Sequence, residues 1–532
     1  MNRHSILEGP LGRIASAARL PDVLLFLVAL IVVAPIWAVE RPPLQDFPQH
    51  VAAVRVLSSY FDPSFRFQEY FELTIGRTQY LTVYLLAAPF ARVIGPTLAT
   101  KLVLSVALAL TPLAIARWLR ALSMDAWLAW LSLPFVFNVH VGYGFINFVA
   151  AIPLMFLGLA LAIEGQQQPS RKGAWALAVV LILCFFTHVV PFGLLAIAVV
   201  LLVRWDRRTF CQQLAVLAPA FVAACVWLLK SPAGKVVASV GRSFDELMPT
   251  ATHLPFGASL RMLPDWIINI SNSEAENLRI VVWLVTAVVL LVLCATFPND
   301  EVERGKPEAN ALPNAARWSR FVVMLLVPLS LVAYFSLPNG FGFIWPICQR
   351  FPVLAMLLAL PLLGRAPRWP LRAAALLSAT LAVLGATELV QLFRDTSRQG
   401  YRGFDEVIER IPKGSRVATL VFERRLDGLQ LSPLIHAAGW VQAERGGVVM
   451  FTFAEFPSSP FAYRSNRRPP PVPPRWEWGP ERVVPDRDLG WYDFCLVQGW
   501  SGSLEASRRF QEVARRGRWS LWQRTGPADT TR

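Results

Sequence analysis

Charged residues are scarce in this chain. They make up 16% of its 532 residues, while 55% of the residues are hydrophobic. Soluble domains carry about 25% charged residues. A soluble protein of this size could not bury so much apolar surface, and a lipid bilayer is the simplest solvent for it. Spanning helices are indicated by long stretches with hardly any charge, at 23–38, 97–116, 279–297, 321–336 and 373–387.

Several familiar signatures are also missing. The six cysteines form no CxxC pair and no spacing typical of a metal site or a disulfide framework. There is no internal repeat, which counts against a transporter or flippase built from repeated halves. No small-residue cleavage site follows the first apolar segment, so we expect an uncleaved first helix.

The net charge of +15 is large for so few charged residues. In a soluble protein it would suggest nucleic acid as a partner. Here the basic residues gather in short loops between apolar runs, which is typical of cytoplasmic loops in membrane proteins. We therefore predict no nucleic-acid partner and a cytoplasmic N-terminus. Five basic loops are placed on the same side, at 117–120, 171–172, 204–208, 304–320 and 365–372.

This assignment fixes how the chain crosses the membrane. The segment 79–94 is short and aromatic, and if it crossed, every later basic loop would be inverted; we predict an interfacial helix there. A membrane domain over 1–392 then has two long outside loops, at 39–95 and 230–278. It contains about eleven spans of roughly 20 residues or somewhat fewer, at 22–38, 97–116, 125–139, 146–163, 174–187, 189–203, 213–229, 279–297, 319–336, 350–364 and 373–392.

From residue 393 the composition changes, and a small extracytoplasmic α/β domain is predicted over 393–532. The pattern predicts a helix and then a strand over 405–423, strands at 446–456 and 491–499, a helix at 503–517 and a last strand at 518–524. A stiff proline-rich loop occupies 467–480. Neither a Gly-rich phosphate loop nor a nucleophile elbow occurs here, so we expect a supporting or acceptor-recognition role.

The strongest local motif runs from Pro42 to His50, directly after the first helix. Prolines on both sides of Asp46 restrict where its carboxylate can point, and Pro48 is well placed to start a helix that carries His50. A carboxylate at the membrane surface can accept a proton or hold a divalent cation. The structural alternative is that Asp46 is only a helix cap or a loop anchor. Asp46 and His50 are candidate catalytic residues.

Other polar residues lie at the predicted outside ends of helices. Glu69 is a candidate second carboxylate, with a solvated loop face as the alternative. His140 and Asn147 flank a glycine-containing turn; they are candidate substrate-binding residues or interhelical hydrogen-bonding groups. His188 stands between two apolar runs, where a polar residue is costly unless it faces protein or water.

Cations in the late outside segments complete the set. Arg350, next to Gln349, begins a late helix, where a guanidinium can fork onto a phosphate above a helix N-terminus. Simple snorkelling to the membrane surface is the alternative. Lys235, in the second long outside loop, could contribute similarly. We predict no metal ligands from these residues.

This layout resembles the GT-C fold superfamily of membrane glycosyltransferases. The resemblance covers about residues 20–390 in topology and 42–50 in motif, and the run Gly144–Phe148 is shared with uncharacterised bacterial GT-C-like proteins. It implies a polyprenyl-phosphate sugar donor, a catalytic or metal-binding acid at Asp46, and a donor phosphate at Arg350. Many members have two adjacent acids, whereas Gln45 precedes Asp46 here, which favours a metal-free base or a second carboxylate from elsewhere.

The resemblance therefore implies sugar transfer at the outer face of a bacterial cytoplasmic membrane, to a glycan, lipid or protein acceptor. Membrane lipid is the other expected partner. The cofactor is left open, with a divalent cation among the candidates. The alternatives are a non-catalytic scaffold that kept the GT-C frame and a lipid-linked glycan transporter. A signalling receptor would need a cytoplasmic output domain, and none is evident.

Overall fold

The computed structural model describes residues 20–202, 207–231, 251–297, 314–341, 344–500 and 502–528. Lys235 and the rest of 232–250 in the predicted outside loop 230–278, and parts of two predicted basic loops, at 203–206 and 298–313, lie outside these ranges.

Long apolar helices dominate the first two thirds of the chain. Six described helices are long and apolar enough, by length and composition, to cross a membrane. This agrees with the predicted multi-pass membrane protein. They are Pro96–Ala121, Ile146–Gln167, Gln213–Lys230, Glu274–Thr296, Ala316–Ser336 and Arg368–Ile408.

The other predicted spans are shorter in the structure. The segment predicted at 125–139 is a 3-10 helix, Ala126–Phe135. With a rise of about 2.0 Å per residue it is too short to cross the roughly 30 Å of hydrocarbon alone. The count of eleven spans stays a prediction. The remaining apolar helices are Leu20–Val32, Arg171–Thr187, Val189–Leu202, Phe351–Leu358 and the 3-10 turn Leu360–Leu363.

The predicted first outside loop is folded into short elements. Helix α2 (Phe47–Ser58) begins directly after Asp46, α1 being Leu20–Val32. The segment predicted to lie in the interface forms a helix, Thr82–Ile94, whose buried face includes Val83, Tyr84 and Ala87. Short elements complete the outside regions: Phe67–Tyr70, β1 (Phe71–Leu73), Val139–Gly142, β2 (Ala251–Thr252), Phe256–Met262 and β3 (Gly340–Phe341).

A five-stranded sheet forms the centre of the C-terminal region, in the order β5-β4-β7-β9-β8. β4 (Arg416–Val421) is parallel to β5 (Val448–Val449) and to β7 (Phe494–Gln498), while β9 (Trp519–Arg524) is antiparallel to both of its neighbours. The predicted helix and strand after residue 404 are confirmed as Phe404–Ile408 and β4. Cys495 is buried in β7, where it packs as a small apolar residue.

One predicted helix in this region is wrong. Residues 503–517 form only a short helix, Gly502–Glu505, followed by the strand β8 (Phe510–Arg516). A two-residue turn at Gly517 and Arg518, with Gly517 at φ +57°, joins β8 to β9. The pairing made possible by this hairpin outweighs the helix propensity of the segment.

The C-terminal region packs directly onto the first outside loop. β1 pairs with β6 (Phe461–Tyr463), and the helix Ala438–Arg445, here the docking helix, packs against α2. Buried Arg41 forms ion pairs with Asp405 at 2.6 Å and with Glu444. The boundary predicted at 392–393 falls inside the helix Arg368–Tyr401, and a single hydrophobic core extends from the spanning helices into both sides of it.

Gly439 allows the docking helix to approach α2. A Cβ at this position would lie 2.4 Å from the backbone carbon of Pro48, a distance that neither backbone can absorb without moving apart. We expect Gly439→Ala to destabilise the protein by about 1–3 kcal/mol, the usual cost of overpacking. Thermal unfolding of the purified protein in detergent measures this.

The matched control is Gly193→Ala, at a helical glycine with no atom within 4 Å of the added Cβ. Alanine favours a helix over glycine by about 0.5–1 kcal/mol, so this variant should be as stable as the parent or more stable. Equal unfolding temperatures for the two variants would contradict the close approach at Gly439.

Candidate functional site

Asp46 lies at the start of α2 and makes no capping hydrogen bond there. The alternative that it serves only as a helix cap is therefore not what the structure shows. Its backbone N–H donates to Tyr143 O at 3.0 Å, and the N–H of Gln45 donates to Gly142 O at 3.0 Å. These two bonds fasten the motif to the turn at 139–145, so the carboxylate is held by backbone contacts on both sides.

Gly144 lets the two segments meet. It adopts φ +76°, and a Cβ on it would lie 2.8 Å from the backbone nitrogen of Asp46. An L side chain is disfavoured at this φ and has no room in this contact. The sequence analysis noted the glycines of this turn, and the structure shows that Gly144 adjoins Asp46 itself.

The carboxylate of Asp46 meets a histidine from the C-terminal region. His436 Nδ1 lies 2.9 Å from Asp46 Oδ1, and the side chains are 10% and 16% exposed respectively. The His436 ring stacks on Phe451 with centroids 4.7 Å apart. Gln49 fixes Phe451 by donating from Nε2 to its carbonyl oxygen at 3.1 Å.

His50 belongs to a second, adjoining group. Its Nδ1 lies 2.7 Å from the hydroxyl of Tyr84, to which Asn147 Nδ2 also donates at 3.4 Å. The ring packs edge-on against Phe453 at 4.9 Å. His50 is thus buried in a hydrogen-bonded group that lines the same region as Asp46.

Arg350 supplies the cation of the site. Its guanidinium lies 5.6 Å from the ring centroid of Phe145 and 5.9 Å from that of Phe148. It is within electrostatic range of Asp46 and of Tyr80. The predicted acid and cation therefore share one region of the fold, although they are about 300 residues apart in the sequence.

His140 and His188 stand beside Arg350. Phe148 packs edge-on against both rings, at centroid distances of 4.7 Å to His140 and 5.3 Å to His188. His188 also stacks on Tyr80 at 5.2 Å, and its Nδ1 accepts from Val190 N at 3.1 Å. Arg350 influences the titration of both histidines.

Many buried polar atoms in this region lack a hydrogen-bond partner among the residues that the structure describes. They include both ring nitrogens of His140, both side-chain amide atoms of Gln349, Oδ1 of Asn147, Nε2 of His188 and Nε of Arg350. A buried polar group without a partner costs about 1–3 kcal/mol. So many in one place indicate that water or a polar ligand normally occupies the space between them.

Burial and neighbouring charges set the protonation of the histidines. Burial lowers the pKa of His50 to about 4 and that of His140 to about 3, and Arg350 adds to the lowering at His140. Burial also lowers the pKa of His436. The close polar contact and the charge of Asp46 outweigh that effect, so that the pKa of His436 is raised. Burial also raises the pKa of Glu477, which interacts electrostatically with His436 and Asp46.

Glu69 is not brought into this group. Both of its carboxylate oxygens accept from Arg66 at 2.7 Å, and its side chain is 45% exposed. The short helix Phe67–Tyr70 and strand β1 hold it in this surface ion pair, so the prediction that it partners Asp46 is not supported. Gln349 is fully buried beside Arg350.

Three contributors were missed by the sequence analysis: His436, Glu477 and Tyr84. The small number of histidines in the chain is a signal from which His436 could have been predicted. The chain has six histidines, and four of them, His50, His140, His188 and His436, gather in this region. A histidine in a predicted water-exposed domain gave no other reason to be placed beside the first loop.

Among the described residues no three His, Cys, Asp or Glu side chains converge so as to hold a metal ion.

No family profile matches the chain, and no curated protein is significantly similar in sequence. Among solved structures, the chain is similar to the crystal structure of ArnT from Cupriavidus metallidurans in the apo state. The identity is 14%, the match covers 94% of this chain and 97% of that one, and the TM-score is 0.42. A likeness at that score carries no inference about the activity of this chain.

Burial of His50 makes stability depend on pH. Because its folded pKa of about 4 lies below the ordinary value of 6.5, the unfolded chain takes up the proton first as the pH falls. Stability present above pH 6.5 is therefore lost as the pH falls toward 4. We expect His50 to account for a loss of about 2 kcal/mol between pH 7 and pH 5.

Thermal unfolding of the parent and of His50→Gln across this range measures the difference, and the variant should lose less stability. His253→Gln, at an exposed histidine, should retain the parent's slope. Identical slopes in His50→Gln and the parent would show that His50 titrates normally in the folded protein.

Proposed function

We propose that the protein is an integral membrane glycosyltransferase of the GT-C type. It moves a sugar from a polyprenyl-phosphate donor to an acceptor hydroxyl at the outer face of the bacterial cytoplasmic membrane. The acceptor belongs to an envelope glycan, a lipid or a protein. The residues of the site are Asp46, His50, His140, Asn147, His188, Gln349 and Arg350; Lys235 is included as a substrate-binding residue from the sequence alone.

One observation carries this proposal: a buried arginine, a carboxylate and a set of unpartnered polar side chains share one region beside the apolar helices. Arg350 is the group suited to phosphate, since its guanidinium presents a planar fork of donors. The amide of Gln349 and the ring nitrogens of His140 offer the mixture of donors and acceptors that phosphate oxygens and sugar hydroxyls require.

The histidines beside Arg350 stay neutral at physiological pH because burial lowers the pKa of both His140 and His188. They hydrogen-bond without adding charge, so that Arg350 is the strong cation facing the ligand. This arrangement favours one phosphate group over a larger polyanion.

The chemistry is a displacement at the anomeric carbon. The acceptor oxygen forms a bond to that carbon as the bond to the phosphate oxygen breaks, and the bonding electrons leave with the phosphate. Arg350 stabilises the charge that develops on the leaving group. The proton of the acceptor hydroxyl goes to a base, for which Asp46 is the candidate, with metal ligation as its alternative role.

Phosphate recognition can be tested without knowing which sugar the protein transfers. Farnesyl phosphate should raise the unfolding temperature of the protein in detergent, whereas farnesol, which lacks the phosphate, should not. A ligand at a hundred times its Kd stabilises the folded state by about 2.7 kcal/mol. Arg350→Gln should abolish the shift.

Arg92→Gln is the matched control, because Arg92 lies in the predicted interfacial helix and donates to Ser58 O at 3.2 Å, away from the phosphate site. It should retain the shift. A shift that survives in Arg350→Gln, or that farnesol reproduces, would remove Arg350 from donor binding.

The second prediction concerns the carboxylate. Asp46→Asn should keep the farnesyl phosphate shift and lose sugar transfer by about 10²–10⁴-fold, the usual contribution of a positioned base. Transfer is measured in membranes containing the protein, as radiolabelled sugar passing from polyprenyl-phosphate donors into envelope material.

Asp62→Asn is the control in the same loop, since Asp62 caps the turn Pro63–Phe65 by accepting from Ser64 N at 2.9 Å. It should transfer normally. Full transfer by Asp46→Asn would instead favour a non-catalytic scaffold, and donor translocation without transfer by the parent would favour a flippase.

A further inference from the structure

The contact between His436 and Asp46 has a specific consequence for the reaction, and the inference drawn from it rests on the proposed function. We infer that His436, contributed by the C-terminal region, accepts the proton from the acceptor hydroxyl, and that Asp46 acts through it as a positioning residue. The active site is then composite, with its base and its phosphate-binding arginine on distant parts of the chain.

The geometry of the contact supports this division of roles. Nδ1 of His436 lies 2.9 Å from Asp46 Oδ1, a close charge contact without hydrogen-bond geometry, so the charge of the carboxylate favours a proton on Nδ1. The lone pair of the ring is then on Nε2, at the opposite edge. A carboxylate that holds a histidine in this way fixes the tautomer and stabilises the imidazolium that forms.

The surroundings fix the ring in place. His436 stacks on Phe451 at an interplanar angle of 17°, and Phe451 is held by Gln49. On the other side of Asp46, Gln45 Oε1 accepts from Ser432 N at 3.2 Å. Gln45 therefore bonds to the segment that carries the histidine, and Gln49 bonds to the residue on which the histidine stacks.

Neighbouring charges also favour protonation of His436. Titratable groups that interact with His436 are Asp46, Glu477 and, across the site, His50. His50 stays neutral because burial holds its pKa near 4. The carboxylates thus favour a protonated His436 once it has taken up the proton.

The step balances as follows. The acceptor oxygen bonds to the anomeric carbon, and the phosphate leaves with the electrons of the broken bond. The hydroxyl proton moves to Nε2 of His436, giving an imidazolium beside the carboxylate of Asp46. That proton is later released to water or to the departing phosphate, which restores the neutral ring.

The test compares His436→Gln, Asp46→Asn and the double variant in the transfer assay. Each single variant should lose about 10²–10⁴-fold in transfer, and the double variant should lose no more, because the two groups act as one unit. Each should retain the farnesyl phosphate shift, which shows that the site is folded. His253→Gln is the control and should transfer normally.

The pH profile of the parent separates the two bases. If His436 is the base, transfer should fall about tenfold per pH unit below a midpoint above 6.5, because only the neutral ring accepts a proton. If Asp46 accepts the proton directly, the transfer rate should show no such histidine midpoint. This comparison needs only the parent protein, so it decides the question even if His436→Gln fails to fold.

Three outcomes overturn the inference. Transfer by His436→Gln at more than a tenth of the parent rate shows that the ring is not the base. A pH profile that lacks the midpoint above 6.5 assigns the proton to Asp46 and leaves the proposed function intact. A parent protein that transfers no sugar from any polyprenyl-phosphate donor rejects the proposed function, and with it the role of His436.

Discussion

Close contact between the docking helix and α2 is the constraint on which the candidate site depends. Two backbones meet at Gly439 and Pro48, where no side chain fits, and His436 follows from that contact because it immediately precedes the docking helix. Gly144 allows a similar close approach of two backbone segments on the opposite side of Asp46. The carboxylate is thus enclosed by two close approaches of backbone, each of which requires a glycine, and neither flexible side chains nor solvent determine where it points.

Burial gives chemically identical side chains different tasks in this enclosure. Desolvation keeps His50 and His140 neutral, whereas the neighbouring carboxylate favours the charged form of His436. Arg350 thereby carries a permanent positive charge in the site, whereas His436 carries one only when its ring is protonated. The unpartnered polar atoms between them cost stability, and such a cost is typical of sites that hold a ligand during their working cycle.

The sequence alone was sufficient to predict a multi-pass membrane protein and to choose much of the candidate site, because scarce charge and polar residues at helix ends are local signals. Asp46, His140, Asn147, His188 and Arg350 were all found in this way. The sequence was insufficient wherever contact with a distant segment determined the local structure or the partner of a side chain. Glu69 was assigned by its aromatic neighbours, but Arg66 engages it; residues 510–516 have helical composition, but β9 pairs with them. His436 could not be placed because only tertiary packing brings it to Asp46.

The pairing of β1 with β6 has a consequence for how the protein is made. Strand β1 leaves the ribosome nearly 400 residues before its partner strand. Arg41 is likewise synthesised long before Asp405 and Glu444, its ion-pair partners. During that interval the first outside loop lacks the segments that complete it, with an unpaired strand edge and a buried cation not yet neutralised. Such long-range closure is slow and leaves intermediates prone to misassembly. A chain interrupted before residue 461 therefore lacks the strand that pairs with β1.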